Sequence, residues 1–404
     1  MSQRDNMKSS RRSKNILCIL GVLPLAAGWG CHIDIGGRSW IGQSQFERTV
    51  ARQIALDGSD TLDVLTRSGS ITVTGADATD CNVVATVIAH APTEEEAQEL
   101  AEQVEILGQS TGSILKIRAR TPDLTNNRSI GISYTITIPR RMNVRCDSGY
   151  GRLNASHIEG RLDGRSSNGS IEVEDIRGPT DIKTSYGSIA CRDMVGPMTL
   201  RSSNGSLRMV DLRGSVEAET SYGSIACEDF SEGDLRLKSS NGRVEISHAS
   251  FGICAASSSY GVVSGNDLQG DSIELHSSNG GVELADAHAD TIDLSSSYGS
   301  IRATHIAATS LKAASGNGSV RVACSPAAPA NLHAQAKSSY GSIEFTAPPE
   351  FSGEVYLHTD YGSIRTALPV TMSGEITRQR VTGRIGQGTG KLHLESGSGS
   401  VELK

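Results

Sequence analysis

Ser166-Ser167-Asn168-Gly169-Ser170-Ile171 is followed by Ser185-Tyr186-Gly187-Ser188-Ile189, the same phrase with its glycine 18 residues further on. The glycine recurs at 151, 169, 187, 205, 223, 242, 261, 280, 299 and 318, in four steps of 18 and then five of 19. The residue before it alternates strictly: Tyr150, Asn168, Tyr186, Asn204, Tyr222, Asn241, Tyr260, Asn279, Tyr298, Asn317, Tyr340. Beyond Gly341 the period loosens. Tyr361 before Gly362 breaks the alternation, and Ser398 before Gly399 ends it. Two residues after each glycine the side chain is apolar, from Leu153, Ile171 and Ile189 through to Val401. A second alternating run follows in each unit, as in Asp181-Ile182-Lys183-Thr184. Period-two alternation is the strand signature, and the Gly, Asn and Asp between the runs supply turns.

Two short strands per repeat, many times over, predict an all-β chain folded as a β-solenoid, because one coil cannot bury its apolar row alone. The expected rung is a single repeat of 18–19 residues, a single-stranded β-helix type, preceded by a small β-rich cap with one helix. Composition agrees. Among 404 residues there are 44 Gly but only 16 aromatics, which suits a thin aliphatic core. With 21% charged and 37% hydrophobic residues, the chain is neither a charge-rich disordered polymer nor a polytopic membrane protein. A net charge of −7 leaves no basic footprint for nucleic acid.

The alternation extends to the core. Four residues after the glycine, Asn repeats carry Val173, Met209, Ile246, Leu284 and Val322, whereas Tyr repeats carry Ala155, Cys191, Cys227, Gly265, Ala303 and Thr366, with Phe345 as the exception. Large and small side chains interleave between layers packed at crystal-like density. The tyrosine ring is expected to cover the space that the small residue leaves. The competing reading makes the tyrosines and asparagines a ligand ladder. Short rungs put Asn and Tyr alternately up one edge, ~4.8 Å apart. They also place Cys191 and Cys227 two rungs apart, too far to bridge.

The chain divides into a signal over residues 1–30, a linker over 31–44, a cap over 45–145 and the repeats over 146–404. Arg4, Lys8, Arg11, Arg12 and Lys14 precede an apolar run from Ile16 to Ala27 that is too short for a comfortable span, and Cys31 follows. This layout resembles a bacterial lipoprotein signal with Cys31 as the lipidated residue. Gly28 stands where leucine is usual, so ordinary cleavage or an uncleaved anchor are the alternatives. The expected location is extracytoplasmic, in the cell envelope or at the cell surface, with a lipid anchor as the sole membrane attachment. Within the cap, Thr93 and Glu96 form a capping box that predicts a helix from Thr93 to about Leu107. Arg67-Ser68-Gly69-Ser70-Ile71-Thr72-Val73 is an early copy of the phrase, and residues 369–390 read as an irregular coil or distal cap.

Gly69-Ser70-Ile71-Thr72-Val73, a helix, Tyr134–Pro139, then serial Asn-Gly-Ser-Ile and Tyr-Gly-Ser-Ile resemble the bacterial putative-adhesin domain family over residues 45–404. The closing Val381-Thr382-Gly383-Arg384-Ile385 through Leu394 is similar to that family's C-terminal coil. The resemblance implies an extracytoplasmic β-solenoid and brings no catalytic residues with it.

The residues give little sign of chemistry. His276, His288 and His305 lie in no metal-ligand spacing and read as exposed strand or turn residues. Cys81, Cys146, Cys191, Cys227, Cys254 and Cys324 contain no Cys-x-x-Cys pair. The acidic turns Glu172–Asp175, Asn266-Asp267 and Gly270-Asp271 lack the nonapeptide of calcium-binding β-rolls. No metal, cofactor or catalytic residue is expected. The expectation is a non-enzymatic adhesion or binding module for glycans or envelope proteins. The first alternative is an envelope-associated sensor or scaffold that binds a peptide or partner protein. A polysaccharide-degrading enzyme ranks third, because Arg378, Arg380 and Arg384 stand without an obvious carboxylate pair.

Overall fold

Each repeat folds as one rung. In the computed structural model, which describes residues 43–124, 127–372 and 377–404, Ile171–Ile176 pairs in parallel with Ile189–Val195, and Thr180–Thr184 with Met198–Ser202, both offset by 18 residues. The later rungs stack at 19, with Val244 opposite Val263 and Val263 opposite Val282. The chain is a β-solenoid of short rungs. Cys191 and Cys227 flank Met209 on opposite sides, two rungs apart.

Three features of the repeat explain the coil. The first is the core. The residues two, four and seven after the glycine point inward, as Ile171, Val173 and Ile176 do, and the second strand adds Ile182 or its counterpart. Two inward residues separated by three need a break in the strand's alternation, and the sixth position supplies it as a corner shared by every rung. His157, Asp175, Asp193, Asp211, Asp229, His248, Asp267, Asp286 and His305 all have φ between 50° and 58°. Asp and His tolerate this left-handed conformation better than most side chains, which accounts for their presence at the corner.

The second feature is size alternation. Ala155, Val173, Cys191, Met209, Cys227, Ile246, Gly265, Leu284, Ala303 and Val322 stand one above another in a single buried ladder. A Cβ built on Gly265 would lie 2.6 Å from Cδ1 of Leu268 in its own rung and 3.0 Å from Cδ1 of Leu284 in the next, so two large residues already fill that space. Compensation at Gly265 therefore comes from core residues of the same rung and of the next. The tyrosine ring takes no part in it, contrary to the sequence expectation. Cys191→Leu should destabilise the fold by about 1–3 kcal/mol through overpacking against Val173 and Met209, seen as a lower denaturation midpoint.

The third feature is a buried hydroxyl ladder that the sequence reading passed over. Three residues before each glycine stands Ser166, Thr184, Ser202, Thr220, Ser239, Ser258 or an equivalent, each buried. The hydroxyl of Ser202 accepts from the Gly205 amide at 2.9 Å and donates to the Gly187 carbonyl one rung below at 3.0 Å. Ser239 repeats this with Gly242 and Gly223, both at 2.9 Å. The tight turn leaves one amide and one carbonyl per rung away from the ladder, and a single hydroxyl satisfies both.

The rung at 61–76 lies directly under 143–158: Leu62 pairs with Val144 and Ile71 with Leu153. Between them the chain leaves the stack. Ile114–Arg120 and Ser129–Pro139 add parallel strands beneath the first rung, and Ser44–Ile54, Cys81–Ala91 and Glu105–Thr111 close that end with antiparallel pairing. The helix spans Glu94–Glu102, with Thr93 accepting from the Glu96 amide at 3.2 Å as its N-cap. It ends before Leu107, because Leu107 is opposite Arg118 in the Glu105–Thr111 hairpin.

At the far end chain order and spatial order differ. Gly390–Ser396 lies between His333–Ser338 and Gly353–Thr359, paired in parallel with both. Val401 likewise sits between Ile343 and Ile364. The last segment of the chain is thus the penultimate rung, held by Lys404 Nζ on Glu344 at 2.7 Å. That contact, followed by the hydrogen bond from Arg321, lowers the pKa of Glu344. Arg380–Ile385 then runs antiparallel along Gly353–Thr359 and closes the end as a distal cap.

Candidate functional site: a tyrosine ladder on one edge

The turn that carries the glycine forms one edge of the solenoid, and the backbone fixes the order of side chains along it. The Asn204 amide donates to Ser185 O, Tyr222 to Ser203 O, Asn241 to Ser221 O and Tyr260 to Ser240 O, at 2.9–3.0 Å. Tyr150, Tyr186, Tyr222, Tyr260, Tyr298 and Tyr340 therefore occupy every second rung, with Asn168, Asn204, Asn241, Asn279 and Asn317 between them. The tyrosine side of the ladder continues further than the sequence suggested. Ser398 N donates to Ser339 O and Tyr361 N to Gly397 O, so the spatial order is Tyr340, Ser398, Tyr361. What reads in sequence as a break in the alternation is its continuation in space.

The tyrosines project into solvent. Tyr150 to Tyr340 are 63–69% exposed and Tyr361 is 86% exposed. An asparagine, or Ser398 between Tyr340 and Tyr361, stands between consecutive rings, and among the described residues the aromatic pairs involve only Tyr356 with His358 and His393. Rings two rungs apart are ~9.6 Å from each other along the stack. Seven of them span roughly 58 Å.

The asparagines have a different role. Nδ2 of Asn204, Asn241 and Asn279 donates to the carbonyl of Ser185, Ser221 and Ser259 at 3.0–3.1 Å, in the residue before the tyrosine one rung below. One end of the amide thus pins the turn, while the residue stays exposed. Serines flank the ladder in two further rows. One comprises Ser167, Ser185, Ser203, Ser221, Ser240 and Ser259; the other comprises Ser170, Ser188, Ser206, Ser224, Ser300 and Ser319. From Tyr186 to Tyr340 the three rows contain one charged residue, Arg243. These serines were absent from the ligand ladder expected from sequence. Their signal was the phrase itself, in which Ser precedes Tyr or Asn and follows Gly.

Charged groups gather elsewhere. At the corner, His157 Nδ1 lies 2.7 Å from Asp175 Oδ2, and Arg177 bridges Asp175 and Asp193 at 2.8 and 2.9 Å. The His157 hydrogen bond, followed by those from Arg177, lowers the pKa of Asp175. Asp175 therefore contributes stability above the ordinary carboxylate range and loses it as pH falls through its depressed pKa. His276, His288 and His305 are exposed on different parts of the coil, with His276 Nδ1 on Ser295 at 2.9 Å and His305 Nδ1 on Asp286 at 3.1 Å. Among the described residues no group of three or more His, Cys, Asp or Glu is placed to hold a metal ion. Burial pushes the Cys191 and Cys227 thiols up to about 12, so neither is a ready nucleophile. At the distal cap Arg384 pairs with Glu354 at 3.3 Å and donates to Gly388 O. Two shallow grooves on the face of the first strand, around Ala190 and Ser264, are lined by glutamates and arginines, Glu172 with Arg208 and Glu283 with Arg302 among them. Cys31 lies outside the described residues. Among those residues no helix is long and apolar enough to cross a membrane.

No curated protein matches this sequence. Three solved structures show partial similarity. A "putative adhesin" from Bacteroides fragilis has 14% identity and TM-score 0.34, covering 58% of this chain and 95% of its own. A "putative cell adhesion protein" from Clostridium sporogenes has 8% identity and TM-score 0.16, covering 89% and 99%. A "putative lipid binding protein" from Parabacteroides distasonis has 12% identity and TM-score 0.22, covering 74% and 94%. Likeness at these values says nothing of what this chain binds. Residues 227–404, which hold the later repeats and the distal end, match the family model described as Toastrack DUF4097.

Proposed function

We propose that this protein is a non-enzymatic, extracytoplasmic binding module whose working surface is the tyrosine edge, and that its ligand is a glycan. One observation carries the reading: tyrosines recur on every second rung and stay mostly exposed to solvent, outside the buried core. An exposed aromatic row has a cost in solubility and gains little in packing, which supports reading it as a binding surface. Tyrosine offers an apolar face for the C–H side of a sugar and a hydroxyl for its polar rim. The flanking serine rows add donors and acceptors at every rung. Attachment to the envelope through a lipidated Cys31 completes the proposal, and mass spectrometry of the mature N-terminus tests it: diacylated Cys31 supports the anchor, an unmodified terminus elsewhere removes it.

The binding reading is tested with Tyr260→Ala/Tyr298→Ala on a glycan array and on whole cells. Specific binding should fall at least tenfold, while the melting temperature stays within about 2 °C, as for surface substitutions. Equal loss of folding would return the tyrosines to a packing role.

A further inference from the structure

The edge has a period as well as a chemistry, and the period selects among glycans. Rungs advance by ~4.8 Å, about the length of one hexose in an extended β-1,4-linked chain. In such a chain successive sugars are flipped by half a turn, so the same face recurs at every second residue. The edge alternates in the same way, with Tyr186, Tyr222, Tyr260 and Tyr298 on every second rung and Asn204, Asn241 and Asn279 between them. Resting on the reading of this edge as a glycan surface, we infer that the ligand is an uncharged, ribbon-like β-1,4-linked polysaccharide. It lies parallel to the solenoid axis, with one hexose per rung. Alternate sugars stack on tyrosine rings, and the intervening ones hydrogen-bond to asparagine and serine.

Two observations narrow the class. The three rows from Tyr186 to Tyr340 contain no charge apart from Arg243, although charged residues make up 21% of the chain. A uronate polymer would be expected to meet a row of arginines or lysines, and here such residues lie on the strand faces. The edge is also repetitive, offering the same turn at each successive rung. A helical α-1,4 glucan would touch one tyrosine and then curve away, whereas an extended ribbon reaches several. Binding through repeated weak contacts gains by multivalency, so affinity grows with chain length.

The experiment titrates the full-length chain with cello-oligosaccharides and chito-oligosaccharides of two to eight sugars, with malto-oligosaccharides and oligogalacturonates of equal length as comparators. Affinity for the first two should rise in steps, by roughly 2- to 10-fold for each added disaccharide that reaches a further tyrosine. Tyr260→Ala should remove one step at unchanged melting temperature, and Tyr260→Phe should keep most of it. Malto-oligosaccharides and oligogalacturonates should bind at least tenfold more weakly at every length. Tyrosine-dependent binding of α-linked or charged chains at equal strength would overturn the β-1,4 assignment and leave the glycan surface standing. Smooth growth of affinity with each single sugar would do the same. No binding by any of the four series would overturn both.

Discussion

Gly205→Ala is expected to destabilise the solenoid by more than about 4 kcal/mol, well beyond an ordinary point substitution. The reason is space and not backbone conformation, since Gly205 is absent from the residues with positive φ. A methyl group at Gly205 would fall inside contact distance of the Gly187 carbonyl one rung below, and 2.7 Å from the Ser188 amide. Both neighbours are backbone atoms locked in the stack, so no side chain can swing away, and relief requires two rungs to separate. The same collision is built into Gly169, Gly187, Gly223, Gly242 and Gly261, each against the glycine of its lower neighbour. Gly131 supplies the contrast: its nearest atom is 3.9 Å from an added Cβ, so Gly131→Ala should stay within about 0.5 kcal/mol. Urea denaturation of the two variants separates the cases. Equal midpoints would mean that the rungs are not packed glycine to glycine.

Ser239→Ala should cost about 2–4 kcal/mol, a large penalty for removing one oxygen atom. Ser239 is 2% exposed, and its hydroxyl makes two hydrogen bonds of 2.9 Å, from the Gly242 amide and to the Gly223 carbonyl. Alanine leaves both backbone groups without this partner in a dry interior, where each unsatisfied group costs about 1–3 kcal/mol. Thr184 and Thr220 already serve at equivalent positions, with Thr220 Oγ1 donating to Gly205 O at 2.9 Å. Ser239→Thr should therefore retain stability to within about 1 kcal/mol. Denaturation midpoints for the pair decide the matter. If alanine and threonine behave alike, the hydroxyl ladder is incidental. Because solenoid stability is a sum of local terms, hydrogen exchange at the Gly242 amide gives a second, local readout of the same loss.

Much of this architecture was written in the repeat phrase. Strict recurrence of Asn-Gly and Tyr-Gly at 18–19 residues set the rung length, and the alternation of Val173, Cys191, Met209 and Cys227 set the layering. The hydroxyl ladder was equally visible, as Ser or Thr three residues before the glycine, yet a polar side chain carries no signal of burial on its own. Burial became intelligible only when the turn's stranded amide and carbonyl were counted. The swapped order at the far end was not legible. Parallel rungs offer one another the same backbone groups and the same apolar rows, so sequence cannot say which rung docks on which. The choice falls to the antiparallel pairing of Gly353–Thr359 with Arg380–Ile385, which turns the chain back and delivers Gly390–Ser396 into the gap. That reordering brings Tyr361 into the ladder.

The candidate site was half legible. The tyrosines and asparagines were identified by position, but the large-small core pattern pointed the rings inward. The pattern is real and belongs to the core, since Leu268 and Leu284 close over Gly265 while Tyr260 lies 65% exposed. The asparagines divide their function, spending one amide group on the turn below. The serines gained significance only when the rungs were stacked and their hydroxyls fell into rows beside the rings.

The most direct test of the tyrosine edge as the working surface is nitration footprinting of tyrosine, read by mass spectrometry, with and without a bound β-1,4 oligosaccharide of eight sugars. In the free protein Tyr150, Tyr186, Tyr222, Tyr260, Tyr298, Tyr340 and Tyr361 should all react, while Tyr134, 1% exposed, stays unmodified. Glycan should then protect consecutive ladder tyrosines and leave Tyr356 unchanged. Ladder tyrosines that resist modification in the free protein, or that react equally with the oligosaccharide bound, would contradict the account.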